Sequence, residues 1–215
     1  MNYNDSFIYR ICEWIMKLAF VNLLWISFSM LGFIFLGFFP STIAMFFIIR
    51  KWIIGQRDIP ILKTFWDTYK NEWIKSNVFG VLLIGIFSLL VIDFSIVNSS
   101  SNQILFLQWS KYPLLLIMIL LSLWLLYAIP SYVHYNVSLP MVLKNAFLIM
   151  LINPYYNVVM LLCFVLLFLL FKFSPPIILF FGGSVSAFII MWACFQSFLQ
   201  VDRKREKLKT TSKQH

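Results

Sequence analysis

The 215-residue chain is 61% hydrophobic and 12% charged, with a mean hydropathy of +0.87, which leaves too little polar surface to cover a water-soluble domain. Its net charge is +9, and most of its lysines and arginines fall in two blocks that border apolar stretches. That pattern points to anionic membrane lipids as partners and sets nucleic acid aside.

The chain opens without the hallmarks of a cleavable signal peptide, since Asp5, Arg10, Glu13 and Lys17 are interspersed with apolar residues. Within residues 6–17, Phe7, Ile11 and Ile15 recur at helical spacing with Arg10, Glu13 and Lys17 on the other side, predicting an interfacial helix that runs into the first span. That span is expected over residues 18–38, with Gly32, Gly37 and Pro40 weakening the helix and Ser41 or Thr42 capping the next one. The charge-free stretch 18–49 is too long for one perpendicular crossing and too short for two, given roughly 20 residues per span. A second helix over residues 41–55 therefore either returns to the starting side or stops half-way. Arg50, Lys51 and Trp52 would reach for the interface from its end.

Pro60 suits the first turn of a further helix over residues 60–75. There Phe65, Trp66, Tyr69 and Trp73 make an aromatic face opposed by Lys63, Asp67, Lys70 and Lys75, the profile of a helix lying on a membrane surface. Spans follow over residues 77–98 and 112–132, separated by a polar loop at 99–103 and a short apolar approach to Lys111. Residues 139–152 repeat the interfacial design, with Ser138 as cap, Pro140 in the first turn and a break at Asn153-Pro154. A short span over 158–172 and a longer one over 177–200 are joined by Ser174-Pro175-Pro176, and residues 201–215 form a basic tail.

The fold class expected is thus all-α: one polytopic transmembrane bundle over residues 1–200, with five full spans, one short or half-span helix and interfacial helices. Six lysines and arginines lie in residues 50–75 and six in the tail, so both blocks should be cytoplasmic, with the N-terminus also inside.

Candidate sites are few. Asp93 is an acidic residue within a span; at mid-bilayer it would cost about 2.5–3.5 kcal/mol, but counting from residue 77 places it near the outer headgroups. Asn22 suits either a polar path or, more ordinarily, a hydrogen bond between helices. Gly182 with Ser186 and Gly183 with Ala187 form two small-xxx-small pairs, which favour close packing and leave a homodimer interface open. Arg50 and Lys51 beside Trp52 suit positive-inside anchoring or a clasp on a lipid phosphate or acidic partner loop. The stripe Phe65, Trp66, Tyr69 and Trp73 suits an interfacial belt or a docking face. Cys12, Cys163 and Cys194, odd in number and with two inside apolar runs, read as buried small hydrophobes and not as a disulfide or metal set. No phosphate-loop, zinc-protease or serine-hydrolase motif occurs, nor the Glu-Ala-Ala coupling motif of an ABC permease. No catalytic residue, metal or cofactor is therefore expected.

The runs Phe39-Pro40-Ser41-Thr42-Ile43-Ala44-Met45-Phe46, Arg50-Lys51-Trp52, Asp58-Ile59-Pro60 and Lys63-Thr64-Phe65-Trp66 resemble the core motif of the YesL family of bacterial membrane proteins. Lys144-Asn145-Ala146-Phe147, Phe181-Gly182-Gly183-Ser184 and Met191-Trp192 are similar to its downstream segments. The resemblance implies residence in a bacterial cell membrane and an accessory role in carbohydrate uptake, with a carbohydrate ABC-transport permease as partner. It carries no assigned residue roles. A small transporter or channel is the competing expectation, for which Pro40 and Asn153-Pro154 would supply helix breaks.

Overall fold

A computed structural model describes residues 7–100, 105–135 and 137–211. Among them are eight helices and no strand: α1 (Phe7–Leu31), α2 (Phe35–Ile53), α3 (Ile61–Asn71), α4 (Trp73–Ser100), α5 (Leu105–His134), α6 (Leu139–Ile152), α7 (Pro154–Phe173) and α8 (Pro176–Thr211). Six of these, α1, α2, α4, α5, α7 and α8, are long and apolar enough to cross a membrane, and α6 is a shorter apolar helix. The all-helical, multi-pass architecture is the one expected. Parts of the polar loop and of the tail, residues 101–104 and 212–215, lie outside the described residues.

The first two helices depart from expectation in an instructive way. The amphipathic start and the apolar run form one continuous α1, which ends at Leu31 and not at residue 38. α2 then begins at Phe35, so Pro40 lies inside a helix. A proline there removes the N–H that would bond the carbonyl four residues back, at Leu36. Asn77 of α4 supplies the missing donor, its Nδ2 lying 3.0 Å from the Leu36 oxygen. Ser41 and Thr42 cap nothing; their hydroxyls donate backwards to the Gly37 and Phe38 carbonyls at 2.7 and 2.6 Å. Ser41 also meets Ser29 at 2.7 Å, and Trp25 Nε1 donates to Thr42 Oγ1 at 3.0 Å, tying α2 to α1.

The hairpin between them closes tightly because Gly32 and Gly37 have no side chains: a Cβ on Gly32 would lie 2.3 Å from the Gly37 Cα. Phe33 and Ile34 take positive φ of 54° and 64°, and a turn centred on Ile34 joins the Phe35 N–H to the Phe33 carbonyl at 2.7 Å. The N–H groups of Gly32, Phe33 and Ile34 bond to the Phe28, Met30 and Ser29 carbonyls. With those donors satisfied locally, the exposed apolar turn Phe33-Ile34-Phe35 tolerates a medium without water.

α2 is the hub of the bundle, touching α1, α3, α4, α5 and α8. It buries Ala44, Met45, Phe46, Ile48, Ile49 and Trp52 against residues that include Val21, Phe65, Tyr127, Met191 and Phe198. Trp52 is therefore a core residue, 2% exposed, and does not snorkel as expected.

α4 and α5 run antiparallel: Tyr132 stacks on Phe79 and bonds Glu72 at one end, and Lys111 donates to Asn98 at the other. α7 and α8 do the same, joined by Ser174-Pro175 and linked at the opposite end by Gln200 and Tyr156. His134 packs on Phe198, Arg50 donates to His134, and Trp14 meets Trp52 edge-on at 5.7 Å. The start of α1, the end of α2, the end of α5 and the point where α8 enters the basic tail thus share one end of the molecule. Leu36, at the other end of α2, bonds Asn77 near the start of α4, close to the same end of the α4–α5 pair. About 21 Å of helix separates Leu36 from Arg50. α2 consequently crosses that pair obliquely.

Two further expectations need correction, and the tail acquires a described structure. Residues 60–75 do not form one surface helix: Glu72 interrupts it, and Trp73 already belongs to α4. The basic tail continues α8 as helix through Thr211. Of the cysteines, Cys194 is buried, but Cys163 is only partly so and Cys12 is exposed, since it lies on the amphipathic first turns of α1.

Candidate functional site

At the end of the molecule where α2 and α5 finish, helices α2 to α5 and the start of α6 line an open cleft of about 980 Å³ that carries charged and polar side chains among apolar ones. α2 contributes Arg50 and Lys51, α3 contributes Thr64, Asp67, Thr68 and Asn71, α4 contributes Lys75, and α5 contributes Tyr132 and His134. Arg50 is half-buried, and its Nε–H donates to His134 Nδ1 at 3.3 Å. That ring is held in turn by Phe198, with centroids 4.5 Å apart, and by Phe195 at 5.9 Å. The Tyr132 hydroxyl donates to Glu72 Oε2 at 2.5 Å, a charge-assisted bond that fixes where that carboxylate sits. Lys51 lies over the Phe47 ring at 4.8 Å. The cleft therefore holds oriented charges on packed supports.

The structure separates the aromatic stripe. Phe65 and Tyr69 are 0% and 5% exposed, packed on Phe28 of α1, and the Tyr69 hydroxyl donates to the Phe28 carbonyl at 3.1 Å. Burial pushes the Tyr69 phenol above its usual range. Trp66 stacks on Tyr69 but stays exposed, and Trp73 is partly buried beside it. The face expected to meet a belt of lipid or a partner is thus largely consumed inside the chain. Lys63, Asp67 and Lys70 are left facing outward.

Asn22 is 1% exposed and joins α1 to α8 twice: its Nδ2 donates to the Leu179 carbonyl at 2.7 Å, and its Oδ1 accepts from the Ser184 N–H at 2.9 Å. Gly183 sits beneath this contact, where a Cβ would lie 2.9 Å from Asn22 Oδ1 and 3.1 Å from the Trp25 ring. Ala187, one turn on, is buried. The second pair behaves differently: a Cβ on Gly182 would meet only Ile178 of its own helix, and Ser186 bonds the Gly182 carbonyl. Asp93 is exposed in the last turns of α4, towards the end marked by Asn98 and Lys111, and takes no part in the cleft. Among the described residues no group of three or more His, Cys, Asp and Glu is placed to hold a metal.

Sequence reasoning found Arg50 and Lys51 but missed their partners. His134 is a lone histidine at the end of an apolar span, Tyr132 one aromatic among many, and Glu72 a charge in a charged segment; only folding brings them together. One signal was available for Asn77: a proline within an apolar helix leaves a carbonyl that a polar side chain elsewhere must satisfy.

Residues 18–94, which span most of α1, all of α2 and α3 and most of α4, match the family described as "Protein of unknown function, DUF624". Uncharacterized protein YteU of Bacillus subtilis is 34% identical over 194 residues, covering 90% of this chain and 86% of the relative. The chain belongs to the YesL-like family. Two further Bacillus subtilis members agree: Uncharacterized protein YesV is 33% identical over 93% of this chain and 95% of its own length, and Uncharacterized protein YesL is 31% identical over 92% of each. No solved structure matches the chain. The family match takes in the cleft residues from Arg50 to Lys75, whereas Tyr132 and His134 lie beyond it.

Proposed function

We propose that this YesL-like protein is a non-enzymatic accessory or scaffold protein of the bacterial cell membrane, its basic end in the cytoplasm, which binds a carbohydrate-uptake permease. One observation carries the binding role: α3 spends Phe65 and Tyr69 on packing against α1 and so holds Lys63, Asp67 and Lys70 outward, with Asp67 also lining the cleft. A fixed, charged face is preorganised for a polar partner loop, and preorganisation reduces the ordering cost of association. The cytoplasmic orientation rests on the lysine and arginine bias of that end, and the carbohydrate connection on family resemblance alone.

The test is purification of the full chain, expressed at its native level, in mild detergent with quantitative mass spectrometry of what accompanies it. Permease subunits should be enriched over an unrelated multi-pass control. The double charge reversal Lys63→Glu with Lys70→Glu should lower that enrichment at unchanged membrane yield. No enrichment of permease subunits, or enrichment that survives the reversal, overturns the proposal.

A further inference from the structure

A second space lies beside the polar cleft. It is an apolar groove of about 770 Å³, lined by residues that include Phe39 and Phe46 of α2, Val81 and Ile84 of α4, and Leu125 and Ile129 of α5. The two spaces share three helices and follow each other along them. α5 lends Ile129 to the groove and Tyr132 to the cleft; α4 lends Val81 to the groove and Val78 to the cleft; α2 lends Phe46 and Phe47. The two linings thus adjoin within about one turn, some 5 Å, on α4 and α5, and on α5 polar lining gives way there to apolar lining. Val81 and Ile84 are exposed, so the groove opens to the surroundings of α4, a helix apolar enough to cross a membrane.

We propose that cleft and groove together form a binding site for one anionic phospholipid, its headgroup phosphate in the cleft and an acyl chain in the groove. An apolar space reached from hydrocarbon is filled by hydrocarbon, because water there would lack partners. The headgroup end has the complementary charge. Arg50, Lys51 and Lys75 line it together with the carboxylates of Asp67 and Glu72, and Glu72 is already engaged by Tyr132. The bond from Arg50 Nε to His134 orients the guanidinium and leaves its two terminal nitrogens as the fork that suits a phosphate. Both volumes fall within the roughly 300–1,000 Å³ of small-molecule sites. This inference is independent of the permease reading, since the lipid site needs no second protein.

The experiment places the purified full chain in nanodiscs containing equal amounts of phosphatidylglycerol and phosphatidylcholine with identical acyl chains. Lipid retained after release is counted by native mass spectrometry. Wild-type protein should retain one phosphatidylglycerol in preference to phosphatidylcholine by several-fold. Lys51→Gln with Lys75→Gln, which spares the half-buried Arg50–His134 contact, should bring that preference close to parity. Val81→Trp, which fills the groove, should reduce retention of phosphatidylglycerol at unchanged yield, and Lys172→Gln at the opposite end of α7 should change nothing. Equal retention of both lipids by the wild type, a preference unaltered in the double variant, retention unaltered by Val81→Trp, or an equal loss with Lys172→Gln would each overturn the site.

Discussion

Arg50 Nε and His134 Nδ1 are 3.3 Å apart in space and 84 residues apart in sequence. Because the guanidinium N–H donates, His134 presents an unprotonated Nδ1. Its ring also packs on Phe198, so two roles overlap in one side chain. His134→Phe keeps the packing and removes the acceptor, leaving a half-buried arginine donor unpaired, at a cost of about 1–3 kcal/mol. His134→Ala removes both and should cost more. Thermal unfolding in detergent, followed by size-exclusion chromatography, ranks them; equal midpoints for wild type and His134→Phe would show that the bond contributes nothing.

The contact between Asn22 and α8 allows a paired prediction. Asn22→Leu deletes two interhelical hydrogen bonds, each worth about 0.6–2 kcal/mol in a membrane setting, and should lower the unfolding midpoint. Gly183→Ala places a methyl group against Asn22 Oδ1 and the Trp25 ring, whereas Gly182→Ala meets only a flexible Ile178 side chain. The first should therefore reduce folded yield and the second leave it near wild type. The reverse order would remove the packing argument for this pair of glycines.

Phe65 and Trp66 are neighbours with opposite fates. Phe65 is fully buried and Trp66 is 42% exposed. Phe65→Ala should cost about 3–5 kcal/mol through the cavity it leaves, while Trp66→Ala loses part of a stacking contact worth about 0.5–1.5 kcal/mol. Membrane-fraction yield and thermal midpoint measure both. Similar losses for the two variants would mean that α3 does not bury the face described above.

Orientation is open to cysteine labelling. In a background with Cys12, Cys163 and Cys194 replaced by alanine, single cysteines at Gln56 and Arg203 should resist an impermeant reagent applied to intact cells. Those at Asn98 and Lys172 should react. The expectation follows from the concentration of lysine and arginine at one end of the bundle. Labelling at Gln56 but not at Lys172 would invert the topology.

Much of this protein is legible without coordinates, because a bilayer imposes coarse constraints that composition answers directly. Long apolar runs must be helices that satisfy their own backbone, so the all-helical class, the positions of α4, α5, α7 and α8 and the breaks at Asn153-Pro154 and Ser174-Pro175 follow from residue order. What helical periodicity cannot say is which side of an apolar helix meets lipid and which meets protein, since both are apolar. Hence Trp52, Phe65 and Tyr69 read as surface aromatics, and only packing shows them to be core. Pro40 reads as a helix break, yet Asn77, reaching from another helix, lets α2 run through it. The cleft is likewise a tertiary product: Arg50, Glu72, Tyr132 and His134 carry no shared spacing, and they meet because α2 lies obliquely across the end of the α4–α5 pair.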